Sequence, residues 1–253
     1  MKYMGSKAKY AEEILDAIEI EVHSRIYDYK NYVEPFVGAG NVVLAKPPAE
    51  KEVIGDKNVG VMKVHKGIKS YPTDWGMKPN RKKWDRFASI PESRRSAYQQ
   101  AYLLENSFGG KGPEAGGYFA HGNGKYDTTK AHERLKDVTM VNQDFATTMR
   151  AWNSEQTLHY LDPPYSKKTT VEQYGNLQVE PQRVAQVASK MKGNVMISYD
   201  DSKEVRDAFK GNRWHISSYG VSRTLNKGQR KESKDVLITN FNPSKERKNA
   251  PAY

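Results

Sequence analysis

The tetrapeptide Asp162-Pro163-Pro164-Tyr165 follows directly on the apolar run Leu158-His159-Tyr160-Leu161. Each proline fixes φ and lacks an N–H, so the pair ends a strand and stiffens the backbone beyond it. A carboxylate, carbonyls and an aromatic face are then held rigidly at the carboxyl edge of a sheet, where α/β folds bind ligands. Such a corner suits an exocyclic amino group on a flat heterocycle, as in adenine. That nitrogen is a poor nucleophile because its lone pair is delocalised into the ring. Asp162 and the carbonyl of Pro163 can each accept one amino hydrogen, drawing the nitrogen toward tetrahedral geometry and stabilising positive charge as a methyl group arrives. The role expected of Asp162 is electrostatic more than that of a general base. Tyr165 can stack on the base, its ring rather than its hydroxyl being the part expected to matter. A base buried in a duplex would have to be flipped out to reach this corner.

A second set of residues lies upstream. The short apolar run Asn31 to Val37 ends in Gly38-Ala39-Gly40, and Asn41-Val42-Val43-Leu44 follows. Strand, tight turn and helix start are expected here, with glycines allowing positive φ and close approach of a ligand to the positive end of a helix. The turn is not a full dinucleotide fingerprint, because Val43 stands where the third glycine would be, and it is no P-loop. Asp56 closes the next strand candidate at the spacing where an acidic residue binds ribose hydroxyls. Turn and acid together favour a ligand containing a ribose.

These groups need a scaffold. Ile14, Ala17, Ile18 and Val22 fall at helical spacing within Tyr10 to Arg25. Strands are expected at Asn31–Val37, Glu52–Gly55, Val138–Val141, Thr157–Leu161, Val195–Ser198 and Trp214–Tyr219, and helices at Val59–Ser70, Gln182–Met191 and Lys203–Phe209. A last strand, Asp235–Phe241, follows without room for a packed helix and should return antiparallel. The alternation implies an α/β fold with a doubly wound, mostly parallel sheet. The stretch 71–130 breaks the rhythm: it is rich in Gly, Pro, aromatic and basic residues and reads as a long functional insert. The domain organisation expected is a discontinuous catalytic domain, 1–70 with 131–242, around that insert, and a solvated tail at 243–253.

Composition narrows the function. The 253 residues carry 41 Lys+Arg against 30 Asp+Glu, a net charge of +11. Duplex DNA presents one negative charge per roughly 1.7 Å of axis, and basic proteins gain affinity by releasing its counterions, so nucleic acid is the expected partner. There is no cysteine, which excludes disulfides, thiolate metal sites and cysteine nucleophiles. The six histidines are scattered without a His-Glu-x-x-His helix, so no structural metal is expected. Neither a bilayer-spanning run nor the apolar core of a signal peptide is seen, and a cytoplasmic protein without membrane contact is expected.

The ordered set of Lys2-Tyr3-Met4-Gly5-Ser6-Lys7, Glu34-Pro35-Phe36-Val37-Gly38-Ala39-Gly40 and Asp162-Pro163-Pro164-Tyr165 resembles the Dam-like DNA adenine methyltransferases, the alpha group of amino methyltransferases. The resemblance runs from Lys2 to about Phe241. It implies a Rossmann-like methyltransferase fold, a target-recognition insert, and methyl transfer from S-adenosylmethionine to N6 of a flipped adenine in double-stranded DNA, with S-adenosylhomocysteine as product. It also implies that Tyr3, Lys7, Pro35, Phe36, Gly38 and Gly40 contact the cofactor and that Asp56 holds its ribose. Asp144 and Phe145 would meet its adenine, and Asp162 would sit between cofactor and base. Tyr174 loosely matches a later aromatic of the family. Asn106 to Gly112 and Gly116 to Ala120 echo the recognition region, but the base-reading segment of GATC enzymes is not reproduced. Arg81, Lys82, Lys83, Arg94, Arg95, Lys111, Arg223, Lys227, Arg230 and Lys231 are candidate phosphate contacts. An RNA adenine methyltransferase and an inactive DNA-binding relative stay open as alternatives. So does the biological role, whether restriction protection, regulation or viral self-marking.

Overall fold

The structure is a computed structural model describing residues 29–72, 74–120, 127–165, 178–224 and 230–242. The helix expected at Tyr10–Arg25 and the tail from 243 lie outside the described residues. Seven strands form one sheet: β1 (Asn31–Glu34), β2 (Lys51–Gly55), β3 (Thr139–Val141), β4 (Thr157–Leu161), β5 (Asn194–Asp200), β6 (His215–Thr224) and β7 (Arg230–Thr239). Their order is β3-β2-β1-β4-β5-β7-β6. The β2–β3, β1–β4 and β4–β5 pairs are parallel, whereas β7 runs antiparallel to both β5 and β6. The fold is therefore the expected Rossmann-like α/β sheet, mostly parallel with an antiparallel end.

The helices are α1 (Asn41–Ala45), α2 (Val59–Ser70), α3 (Arg81–Ala88), α4 (Ala97–Glu105), α5 (Gly112–Ala115), α6 (Thr129–Leu135), α7 (Phe145–Ala151), α8 (Pro181–Ala188) and α9 (Lys203–Ala208). By compactness the chain divides into two units, with described parts 35–145 in one and 29–34 with 146–242 in the other.

In the first unit, Asn58 caps α2 by accepting from the Val61 N–H at 3.1 Å. The stretch 71–130, which the sequence marks as a long insert, contains α3, α4 and α5. Its aromatics make a small core: Phe87 and Tyr102 meet edge to face at 5.4 Å, and Trp75 and Tyr98 at 6.2 Å. Ser96 and Gln99 form a capping box that starts α4. Helix α4 lies so close to α2 that a Cβ on Gly67 would sit 2.2 Å from Cβ of Ala97. The insert is thus docked on α2.

In the second unit, β4 and β5 are buried along their whole length, as expected of strands with neighbours on both sides. Strand β1 stops at Glu34 because Pro35 has no N–H to offer the ladder. Strand β7 begins earlier than its apolar residues suggest. From Asp235 onward it pairs with both β5 and β6, but Arg230 to Lys234 pair with β6 alone, so that stretch is polar.

His159 is an anomaly in this core. It is fully buried in β4 between Val33 and Val195, and neither ring nitrogen has a hydrogen-bond partner among the described residues. Burial pushes its imidazole down to about 3, so it stays neutral when folded. Unfolding lets it take up a proton near pH 6.5, so stability present above that pH is lost as pH falls toward 3, by about 1.4 kcal/mol per pH unit. We predict that His159→Leu is more stable than the wild type at pH 7 by about 1–3 kcal/mol, the usual cost of an unpaired buried polar group. Urea unfolding should show that advantage widening at pH 5. A variant that is less stable at both pH values would mean the imidazole has a partner in solution.

Candidate active site

The glycine turn is held from two sides. Val37 N–H bonds the Gly55 carbonyl at 2.8 Å, which joins the segment after β1 to the end of β2. Gly38 and Gly40 have φ of 45° and 76°, so both adopt the backbone that the sequence anticipated. Gly38 N–H donates to Oδ2 of Asp56 at 3.1 Å, while the carbonyl of Gly38 accepts from Nε2 of His65 at 2.8 Å. A carbonyl can only accept, so Nε2 carries the imidazole hydrogen. Burial drives the His65 imidazole down to about 4, which keeps it neutral in this role. The same ring fixes Gly40, where a Cβ would approach Cε1 at 2.9 Å. Sequence reasoning missed His65, because on α2 it reads as one more core position beside Val61, Val64 and Ile68.

Asp56 is partly buried and accepts from the N–H groups of Gly38, Lys57 and Asn58. Burial outweighs these donors and lifts its carboxyl to about 6. The ionised group thus retains acceptor strength that a pair of ribose hydroxyls would engage. Phe36 and Phe145, placed far apart in the chain, stack at 5.0 Å and 28°. Pro35 is buried beside Phe36 in sequence, and Asp144 is partly exposed next to Phe145. A flat apolar plate and a carboxylate corner in one unit fit an adenosine. Tyr3 and Lys7 lie outside the described residues.

In the second unit, β4 delivers Asp162, partly exposed, then the buried Pro163, and then Pro164 and Tyr165. The Tyr165 hydroxyl donates to Oδ2 of the fully buried Asp235 on β7, at 2.5 Å. Its ring lies 6.2 Å from that of Tyr199, inclined by 35°. Burial, followed by the charges of Asp200, Glu180 and Asp162, holds the Tyr199 phenol far above its usual range. Tyr199 is therefore a neutral wall. The sequence pointed to the ring of Tyr165, and the structure adds a partner for its hydroxyl, the buried Asp235 carboxylate. Asp235 and Tyr199 had no signal in the sequence beyond apolar strand context.

The basic candidates separate by environment. Arg95 is a correction: it is 5% exposed, and its guanidinium bonds Ile90 O, Ala88 O, Gln100 and Glu114. Every face is used inside the protein, so no phosphate contact is available. Lys83 is likewise engaged, donating to the Tyr98 hydroxyl with its ammonium 4.6 Å from the Tyr102 ring centre. Arg81 pairs with Asp85 at the surface, and Lys82 and Arg94 are exposed. Lys111 is partly exposed in the glycine-rich turn. Arg223, Arg230 and Lys231 stand where β6 and β7 approach their hairpin turn, their side chains outside the description; Lys227 and Tyr174 are outside it entirely.

A family model described as "D12 class N6 adenine-specific DNA methyltransferase" matches residues 3–107 and 115–222. No curated protein matches significantly. Among solved structures, a precorrin-8W decarboxylase of Methanobacterium thermoautotrophicum is similar at 11% identity, with a TM-score of 0.38, over 88% of this chain and 87% of that chain. A precorrin-6y C5,15-methyltransferase of Geobacter metallireducens is similar at 10% identity and TM-score 0.38, over 88% and 85%. A conserved hypothetical protein of Streptococcus pyogenes is similar at 14% identity and TM-score 0.35, over 85% and 88%. At TM-scores this low, none of the three likenesses bears on function.

The Asp56 carboxyl gives a pH test. We predict that affinity for S-adenosylmethionine falls as pH drops through about 6, where Asp56 gains a proton and loses an acceptor. Calorimetry at several pH values should show Asp56→Asn binding about tenfold more weakly at pH 7.5, a hydrogen bond or so, with that pH dependence gone. Equal affinity of folded wild type and variant at every pH would remove Asp56 from the ribose site.

Proposed function

The chain belongs to the D12 class of N6 adenine-specific DNA methyltransferases, and on that premise we propose which of its residues perform the reaction. S-adenosylmethionine is the methyl donor and supplies an electrophilic methyl group on a sulfonium. Asp56, the Gly38 turn and the Phe36–Phe145 stack bind its adenosine, with Pro35, Gly40 and Asp144 beside them. Asp162 and the carbonyl of Pro163 accept the two amino hydrogens of the target adenine. Neither Pro163 nor Pro164 has an N–H, so the motif adds backbone acceptors without donors and favours an amino group over a keto oxygen. As the nitrogen gains the methyl group, whose bond to the sulfonium breaks to leave S-adenosylhomocysteine, it becomes positive, and the carboxylate stabilises that charge. The nitrogen then sheds one proton, for which Asp162 is the first acceptor. The observation that carries this assignment is the corner Asp162-Pro163-Pro164, whose two prolines add acceptors and no donor, leaving the fully buried strand β4.

Double-stranded DNA is the substrate this reading assigns, with the adenine flipped onto the Tyr165 ring. Lys82, Arg94, Lys111 and Arg81 are the surface cations proposed to meet phosphates. The insert 71–130 supplies all four and is the proposed recognition segment of a discontinuous catalytic domain. Among the described residues, no helix is long and apolar enough to cross a membrane. We place the activity in the cytoplasm, with the cellular DNA.

Asp162→Ala should lower kcat by about a hundredfold or more, the typical loss of a preorganised electrostatic group, while S-adenosylmethionine still binds. Labelled-methyl transfer to duplex DNA measures the first quantity and calorimetry the second; unchanged kcat would unseat Asp162. DNA affinity should fall linearly in log–log form with salt, and the slope should shrink by about 0.9 for each phosphate contact removed in Lys82→Ala and Arg94→Ala. Arg95→Ala should instead lower thermal stability and leave the slope alone. An unchanged slope in the Lys82 and Arg94 variants would move the DNA face elsewhere.

A further inference from the structure

We propose that Asp235 is a positioning residue for methyl transfer, fixing the axis of the Tyr165 ring on which the target adenine stacks. This rests on the stacking role given to Tyr165 above. Asp235 lies beyond the segment matched by the family model, which ends at residue 222.

The geometry starts from the sheet. Tyr165 follows β4, but its hydroxyl bonds to β7, and β5 lies between those strands. The side chain therefore reaches across the carboxyl end of β5, where Tyr199 and Asp200 stand. Asp235 is the register partner of Asp200 and is fully buried, as Asp200 is. A buried carboxylate is costly unless donors hold it, and the Tyr165 hydroxyl is one such donor.

A tyrosine anchored only at its Cα swings about χ1 and rotates about χ2. Tying the hydroxyl to a carboxylate on a strand inside the sheet removes the swing, because the long axis of the ring then has two fixed ends. Rotation about that axis survives such a bond. The Tyr199 ring, 6.2 Å away and inclined by only 35°, limits it. Axis and plane are thus restrained by different residues, and neither is adjacent to Tyr165 in sequence. A base stacked on this ring would have its amino group delivered at a defined height above Asp162. Small displacements of a reacting atom cost rate steeply, which is why a hydrogen bond remote from the reacting nitrogen can act on kcat.

The test uses the full chain and a duplex containing its methylation site, found by sequencing DNA from expressing cells. Asp235→Ala should lower kcat about tenfold, one hydrogen bond's worth, leaving KM for DNA and S-adenosylmethionine unchanged. Asp235→Asn should retain most of the rate because its amide oxygen still accepts. Tyr165→Phe should lose as much as Asp235→Ala, and the double variant should lose no more than either. With 2-aminopurine at the target position, Asp235→Ala should shed the stacked, short-lifetime fluorescence population while still flipping the base. A purely structural role would lower stability and the active fraction without changing these lifetimes. Wild-type kcat in folded Asp235→Ala, or losses that multiply in the double variant, would overturn the proposal. Should Asp235→Ala fail to fold, wild-type kcat in Tyr165→Phe overturns it equally. Tyr165→Ala judges the stacking role separately. Full activity there defeats stacking itself, whereas a large loss there beside a normal Asp235→Ala defeats only the part given to Asp235.

Discussion

A proline cannot donate into a hydrogen-bonded ladder, and two neighbouring central strands both run into one. Strand β1 ends at Glu34 before Pro35, and β4 ends at Leu161 with Asp162 before Pro163. The two are paired in parallel, so their chains leave the sheet at the same edge. Each chemical segment begins where the ladder of its own strand is forced to stop. Had either strand continued, its polar groups would have been used up in the sheet.

Once the backbone leaves the ladder, its polar groups need other partners, and the partners chosen are mostly neutral. Gly38 is gripped through its N–H by Asp56 and through its carbonyl by an uncharged His65. Among the described residues Asp56 is held by backbone N–H groups, and it remains a weaker acid than an exposed aspartate because burial outweighs them. Tyr165 meets Asp235 in the same style, a phenol donating to a carboxylate. An arginine or lysine in these places would have lowered the basicity of the carboxylates and competed with a ligand's hydroxyl or amino hydrogens. Neutral donors orient a carboxylate and leave its charge for the ligand.

The insert follows a different rule. Its basic residues look alike in sequence, yet Arg95 is a core residue and Lys82 is at the surface. Arg95 ties the end of α3 to α4 and α5 by filling their carbonyl and carboxylate positions. Charge therefore stands in two settings here, one internal and rigidifying, the other exposed at the surface.

Short-range features made much of this legible from the amino-acid sequence. The strand Thr157–Leu161 and the helix Val59–Ser70 have the bounds expected of them, because apolar runs, an Asn cap and proline stops act within a few residues. The glycine turn, Asp56 and the Asp162-Pro163-Pro164-Tyr165 corner were legible for the same reason, and their order along the chain pointed to the family. The helices of the insert were not, since α3 has only Trp84 and Phe87 to mark its buried face among charged neighbours. Nor were His65 against Gly38, Arg95 against Glu114, or Asp235 against Tyr165. Those pairs are separated by 27, 19 and 70 residues, and a hydrogen bond between distant residues leaves no periodicity to read. The sequence by itself determined which chemical groups stand at the strand ends. Only tertiary packing decided which of them are buried, and so which are locked in place and which remain free to meet a ligand.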